Sequence, residues 1–374
     1  MPRSGIRELV ELAATVTDVI HLEIGEPSFK TPAAIVEAGV AAARGQFTRY
    51  SPSSGFPSLR EQIAQRLSTE RACAIDPRQV IVTPGASFGL AASILALVDP
   101  GDEVLVPDPG WPNYVTMTLL AGATPVPYPL LRHEAFLPDP GSLQACITNR
   151  TKVLIVNTPA NPTGAVYPRQ LFERIYQLAA DHDLYLISDE VYEAFVFEGA
   201  HEPPSQFDSD GRVVTISGYS KSYAMTGWRV GYAIAAPPVA TAVGHVVESM
   251  VLSASAISQK AAETACSLPP EVIAEMRDAY RARARVVVDL LGDAGLLASV
   301  PKGAFYALVD VSGTGRSSHQ VARDLLRMER VATVPGAAFG RNGEGMVRIS
   351  LAAEEESLRE GCVRIRRHVL AGRS

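Results

Sequence analysis

Residues 151–192 read TKVLIVNTPANPTGAVYPRQLFERIYQLAADHDLYLISDEVY, and the changes of pattern within them decide the architecture. Val153 to Val156 is apolar at every position rather than at alternate ones, which suits a short strand buried on both faces. Gln170 to His182 then changes to helical spacing, and Tyr185 to Ile187 is a second short β-rich run. Strand, helix and strand in that order make a crossover unit, whose two strands lie parallel. The same alternation extends outward in both directions. Val80 to Val82, Val104 to Val106 and Val213 to Ile216 read as further strands, and Phe88 to Val98 as a further helix. The expected class is α/β, a mainly parallel sheet flanked by helices.

After Leu268 the pattern changes again. The pair Pro269-Pro270 precedes a long polar helix pattern, Glu271 to Leu291, followed by strand-like runs at Ala304 to Val309 and Met346 to Leu351. This tail reads as a smaller α+β domain. With 374 residues and a prior of roughly 150 residues per domain, two domains are expected: a large one over 31–268 and a small one built from 1–30 and 269–374. No repeat or low-complexity linker separates them.

Composition removes several classes of function. Lys plus Arg number 34 against 40 Asp plus Glu, and a formal charge of -6 gives no reason to expect nucleic acid or an anionic membrane as a partner. Phe88 to Val98 is the longest apolar run and is shorter than the about 20 residues that a bilayer span needs. Cys73, Cys146, Cys266 and Cys362 are too far apart for a structural zinc site or a redox pair, so no metal is expected and a reducing cytoplasm is the simplest location. Met1 to Thr15 mixes Arg3, Arg7, Glu8 and Glu11 with apolar residues, as an amphipathic helix does and a signal peptide does not.

Ligands of open α/β sheets bind at the carboxyl ends of the strands, so the residues just after each apolar run carry the chemistry. Here they are Gly85-Ala86-Ser87, Asp108 to Trp111, Asn157 to Gly164, Asp189 to Tyr192 and Ser217 to Lys221. Together they offer a glycine turn that opens a helix, a stacking aromatic, an amide, a carboxylate, a phenol and a lysine. The helix-opening turn supplies free backbone donors for a phosphate.

Eight segments now carry a resemblance: LEIGEPSFKTP, RYSPSSGFPSLREQIA, VTPGASFGL, NTPANPTGAVY, SDEVYEAF, SGYSKSYAMTGWRVGY, GAFYALVD and MVRIS. In this order and spacing the chain resembles, nearly end to end, a class I/II aminotransferase of the pyridoxal 5'-phosphate (PLP) fold-type I superfamily. The resemblance implies a seven-stranded sheet in the large domain and a smaller α+β domain. It also implies PLP as cofactor and transfer of an amino group from an α-amino acid to a 2-oxo acid such as 2-oxoglutarate.

It further implies roles residue by residue. Lys221 would hold the cofactor aldehyde as a Schiff base and later shuttle a proton. Asp189 would pair with the pyridine nitrogen; by itself it could equally be a helix cap. Tyr192 and Asn161 would hydrogen-bond the phenolic oxygen. The phosphate would be met by the amides of Ala86 and Ser87, the hydroxyls of Ser87 and Ser220, and Arg229. Trp111 would stack on the ring, unless it is simply core. Arg348 would grip the substrate α-carboxylate by a bidentate fork, with a backbone contact from Gly25. Tyr50 would cross to a partner subunit, implying a homodimer; the alternative is that it packs locally before Ser58.

Two positions depart from the family pattern, Ser28 in GEPSF and Gly110 in DPGWPNY, and both touch substrate shaping. Side-chain preference is the open question. Lys30, Arg49, Arg132 and His133 are candidates, by elimination, to read a distal carboxylate, as aspartate specificity would require. The apolar stretch Leu12 to Ile20 resembles a segment that closes over the site, which points to a neutral or aromatic donor. A PLP-dependent lyase would share almost all of these residues. From another class, Gly85-Ala86-Ser87-Phe88-Gly89 fits the nucleophile turn of an α/β-hydrolase acting through Ser87, which would also need a histidine on a later strand end.

Overall fold

The computed structural model describes residue 9 and residues 11–373. Its strands in chain order are β1 Ile20–His21, β2 Val80–Thr83, β3 Glu103–Asp108, β4 Thr124–Pro129, β5 Thr151–Asn157 and β6 Tyr185–Asp189. The remainder are β7 Val213–Gly218, β8 Gly231–Ile234, β9 Tyr306–Asp310, β10 Val331–Ala332, β11 Val334–Pro335 and β12 Met346–Ser350.

Seven of these form one sheet in the order β2-β8-β7-β6-β5-β3-β4. Neighbours from β7 through β4 run parallel, and β8 is antiparallel to both β2 and β7. The sheet is mainly parallel, as expected. Val153, Leu154, Ile155 and Val156 of β5 are fully buried. Helices cover both faces of the sheet, so these side chains find apolar partners on either side: Val153 and Ile155 in one core, Leu154 and Val156 in another. Burying each such side chain contributes about 1.5–3 kcal/mol relative to leaving it exposed. That is why the run is apolar at every position.

A second body of structure is built on the antiparallel sheet β11-β12-β9. β1 pairs with β10, and the chain just beyond β1 joins β12 through a bond from Ser350 N to Leu22 O of 2.7 Å. One core accordingly gathers Leu22 with Tyr280, Leu291, Phe305, Val347 and Leu358.

Three local readings shift. The helix expected to reach Leu291 is α-helical over Glu271–Val287 and then widens into a π-turn at Val288–Gly292. Ala304 has φ of 58°, a left-handed conformation that cannot sit in a ladder, so β9 begins at Tyr306. The third concerns the N-terminal segment. Residues 9 and 11–13 are helical, residues 14–15 form a turn instead, and residues 1–8 and 10 of the expected helix lie outside the described residues. The stretch from Leu12 to Ile20 packs on the second body: Leu12, Ala13, Val16 and Val19 lie against Leu326 and Ala332, because an apolar stripe next to β10 is buried there. No described helix is long and apolar enough to cross a membrane.

Candidate active site

A cavity of about 560 Å³ opens at the carboxyl edge of the large sheet. Parallel strands end on the same edge, so segments distant in sequence converge there. β2 leads to Ala86 and Ser87, β3 to Trp111, β5 to Asn161, β6 to Asp189 and Tyr192, and β7 to Ser220 and Lys221. Because β8 runs the other way, its start brings Arg229 to the same edge. Arg348 lines the cavity from β12 of the smaller sheet, and Gly25 from the loop that follows β1. Every expected site residue lines this cavity except Tyr50.

Asp189 is buried at the end of β6. Tyr114 Oη donates to its Oδ2 at 2.7 Å, and Asn157 Nδ2 donates to its backbone oxygen at 3.0 Å. Burial pushes its carboxyl up to about 6, against the opposing pull of the Tyr114 bond. Val191 N approaches Oδ1 at only 3.4 Å, so a helix-cap role accounts for little of its burial. Beyond it, Glu190 and Glu193 share the Arg71 guanidinium at 2.6 and 2.7 Å, and His201 Nε2 lies 3.0 Å from Glu190. Burial alone would raise the Glu190 carboxyl, but Arg71 and His201 outweigh it and hold it below the ordinary range.

At one end of the cavity the surroundings suit a dianion. Gly85 has φ of 80° and starts the helix Ala86–Leu97, whose first amides have no intrahelical acceptor. A Cβ at Gly85 would lie 2.5 Å from Arg229 Nη2, so the guanidinium rests directly against this turn. A Cβ at Gly231 would lie 2.5 Å from Ala86 N. Both glycines therefore serve the close approach of chain to chain. Ser87, Ser220 and Arg229 surround this turn.

In the middle, Lys221 Nζ donates to Gly25 O at 2.6 Å. Desolvation lowers its ammonium to about 8, Glu26 opposes that shift, and Arg348 and Arg229 add to it. A fraction of neutral amine is therefore present near neutral pH, as a lysine nucleophile requires. Trp111 stands edge-on to Tyr114, with ring centroids 5.5 Å apart.

At the other end, Arg348 is 3% exposed. Its Nη1 donates to Asn161 Oδ1 at 3.1 Å and its Nη2 to Glu23 O at 2.6 Å. The guanidinium lies 4.4 Å from the Tyr306 ring centroid and 5.0 Å from that of Phe339, and its Nε has no partner among the described residues. A buried donor without a partner beside an open cavity is ready for an anionic ligand. Asn161 is itself held by its backbone N–H to Asn157 Oδ1 at 2.9 Å. Tyr192 Oη sits 3.0 Å from Tyr306 Oη.

No role was assigned from sequence to Tyr114, Tyr306, Glu23 or Glu26, and Asn157 was marked only as the first residue of the strand-end segment Asn157 to Gly164. Tyr114 lies three residues after Trp111, one helical turn on, which was the available signal. None of the four candidate readers of a distal carboxylate lines the cavity. Arg132 instead pairs with Asp310 and donates to the carbonyls of Leu297 and Ala298, because those groups surround it at the end of β9. Tyr50 is 83% exposed, so it does not pack locally. No histidine lines the cavity among the described residues, so Ser87 lacks the base that a hydrolase needs.

The family model for aminotransferase class I and II matches residues 17–365. The chain belongs to that family. It is 40% identical to a protein of Thermus aquaticus named a probable aspartate/prephenate aminotransferase, over 95% of this chain and 92% of that one. Aspartate aminotransferase from Thermus thermophilus, solved with maleate, superposes with a TM-score of 0.92 at 38% identity, covering 98% of this chain and 97% of that one. An aromatic aminotransferase from Pyrococcus horikoshii superposes with a TM-score of 0.91 at 36% identity, covering 98% and 99%. This aminotransferase is PLP-dependent and has the fold-type I architecture. It moves an amino group from an α-amino acid to a 2-oxo acid. The residues present fit the cofactor: a glycine turn with Arg229 at one end, a buried carboxylate at Asp189, and a lysine of lowered basicity between that carboxylate and Arg348. When bound, PLP supplies an electron sink for the pair left on removal of an α-proton.

Proposed function

We propose that the amino donor is a neutral or aromatic amino acid. The observation that carries this is the distribution of charge around the cavity. The lining cations among the described residues are Lys221, Arg229 and Arg348, and in this reading they serve the amine, the phosphate and the α-carboxylate. What remains on the substrate side is apolar or acidic, with Ile24, Trp111, Tyr306, Glu23 and Glu26. A distal carboxylate would meet Glu26 there, and no cation among the described residues apart from the three already engaged; Glu23 is paired with His21 at 2.8 Å and offers it no donor.

In this reading Lys221 binds the cofactor covalently and carries the proton between Cα and the cofactor. Asp189 keeps the pyridine nitrogen protonated. Asn161 uses Oδ1 to orient Arg348, and its amide hydrogens remain free to meet the phenolic oxygen together with Tyr192. Ala86, Ser87, Ser220 and Arg229 take the phosphate, Trp111 covers the ring, and Arg348 with Gly25 takes the α-carboxylate. The enzyme is a homodimer in which Tyr50 completes the neighbour's phosphate site, which accords with its exposed ring. Residues 31–268 form the large domain, and 1–30 with 269–374 the small one. The free cysteines accord with a reducing cytoplasm.

A second reading, an acidic donor, is favoured by the relatives named for aspartate. It requires a cation from the partner subunit, and Arg49, next to Tyr50, is the candidate. The test is the rate at which single amino acids bleach the cofactor absorbance. Phenylalanine, tyrosine or leucine should exceed aspartate and glutamate by about tenfold or more in kcat/KM. Aspartate as the best donor, with that preference lost in Arg49→Ala, would establish the second reading instead.

A further inference from the structure

We propose that Tyr306 is a positioning residue for the transamination, acting through Tyr192: its hydroxyl donates to the Tyr192 oxygen and so turns the Tyr192 proton toward the cavity. This rests on the reading that Tyr192 serves the cofactor's phenolic oxygen.

The two hydroxyl oxygens are 3.0 Å apart, and both rings are buried and line the cavity. A phenol carries one proton, so only one member of the pair can be the donor in it. Burial raises the pKa of both, which keeps both protonated at neutral pH. Among the described residues each hydroxyl has only the other as its partner, so the direction is set by the second acceptor that Tyr192 gains, the cofactor's phenolic oxygen. A Cβ at Gly25 would lie 2.9 Å from Tyr306 Oη, so the hydroxyl is wedged between that backbone and Tyr192. Its ring is held too, with the Arg348 guanidinium 4.4 Å from its centroid. With Tyr306 as donor, the Tyr192 proton is free to point away from it. A hydroxyl that accepts one hydrogen bond also becomes a better donor in the next. The same side chain thus supports the arginine with its ring and aims the phenol with its oxygen.

Tyr306→Phe keeps the ring under Arg348 and removes the hydroxyl. The readout is the pH at which the bound cofactor changes colour, which rises when hydrogen bonds to its phenolic oxygen weaken. Tyr192→Phe should raise this midpoint most. Tyr306→Phe should raise it by about half a unit or more, and should add nothing in the Tyr192→Phe background. Apparent KM for amino acids should change by less than about twofold, because the ring contact to Arg348 persists. 3-Fluorotyrosine incorporated at position 306 keeps the shape, donates more strongly and should lower the midpoint. That second variant decides the matter if Tyr306→Phe folds poorly. If Tyr192→Phe leaves the midpoint unmoved, the placement of Tyr192 itself is wrong. If Tyr192→Phe shifts it while Tyr306→Phe does not, or if the fluorinated protein shifts upward, the positioning role of Tyr306 is overturned. A packing role alone would lower the melting temperature and leave the colour change where it was.

Discussion

Tyr114 donates its phenolic proton to Asp189 Oδ2 across 2.7 Å, from the helix that follows β3 to the last residue of β6. Both side chains are buried, and burial raises both pKa values. A carboxylate in that position is costly unless donors surround it or a cationic ring nitrogen faces it. Tyr114 supplies one such donor within the chain. The cofactor's protonated pyridine would supply the other.

Tyr114→Phe should therefore push the Asp189 carboxyl further up and weaken its hold on the ring nitrogen. A hydrogen bond to a charged group contributes about 1.5 kcal/mol or more, so the Kd for PLP should rise about tenfold. Absorbance titration of the cofactor-free protein measures this. An unchanged Kd would mean that Tyr114 only fills space.

Asp189 also makes the stability of the cofactor-free chain depend on pH. Its carboxyl is raised from 3.8 to about 6 in the folded chain. Between those values the folded chain keeps a proton that the unfolded chain has lost. The group's stabilisation is thus complete below the unfolded value and disappears as the pH rises through about 6, a change on the order of 3 kcal/mol. Relative to Asp189→Asn, the cofactor-free wild type should lose stability from about pH 4 to about pH 7 in denaturant melts. A constant difference across that range would contradict the burial argument.

Arg348→Ala should raise the apparent KM of every amino acid, on the order of a hundredfold, because a buried charge-assisted contact to their shared carboxylate is lost. Arg348→Lys should recover only part of this, since an ammonium has no fork with which to reach Asn161 and the substrate together. Steady-state kinetics over neutral, aromatic and acidic donors provide the measurement. Loss confined to acidic donors would show that Arg348 reads the distal group.

Two inactive variants, Tyr50→Arg and Lys221→Ala, should restore activity when their subunits are exchanged. In a shared-site dimer one of the two sites then receives Tyr50 from one chain and Lys221 from the other. Mixtures with proven exchange should reach about a quarter of wild-type activity, from half of the sites in the half of dimers that are mixed. If exchange restores nothing although each parent folds, Tyr50 acts within its own subunit or not at all.

The sequence by itself determined the sheet, the helices that cover it and the chemical groups at its carboxyl edge. These follow from local rules. An unbroken apolar run such as Val153 to Val156 must be buried on both faces, and polar residues directly after such runs must collect where parallel strands end. Only the tertiary structure decided which of those groups touch. Tyr114 meets Asp189 across 75 residues, Tyr192 meets Tyr306 across 114, and Arg348 reaches the backbone of Glu23 across 325. No periodicity records such distances, because they depend on sheet order and on the placing of one sheet beside another. The same cause hid what Leu12 to Ile20 and Arg132 pack against. Their apolarity and charge were plain in the chain, but what they face is set by β10 and by Asp310, elements that fold against them from more than a hundred residues away.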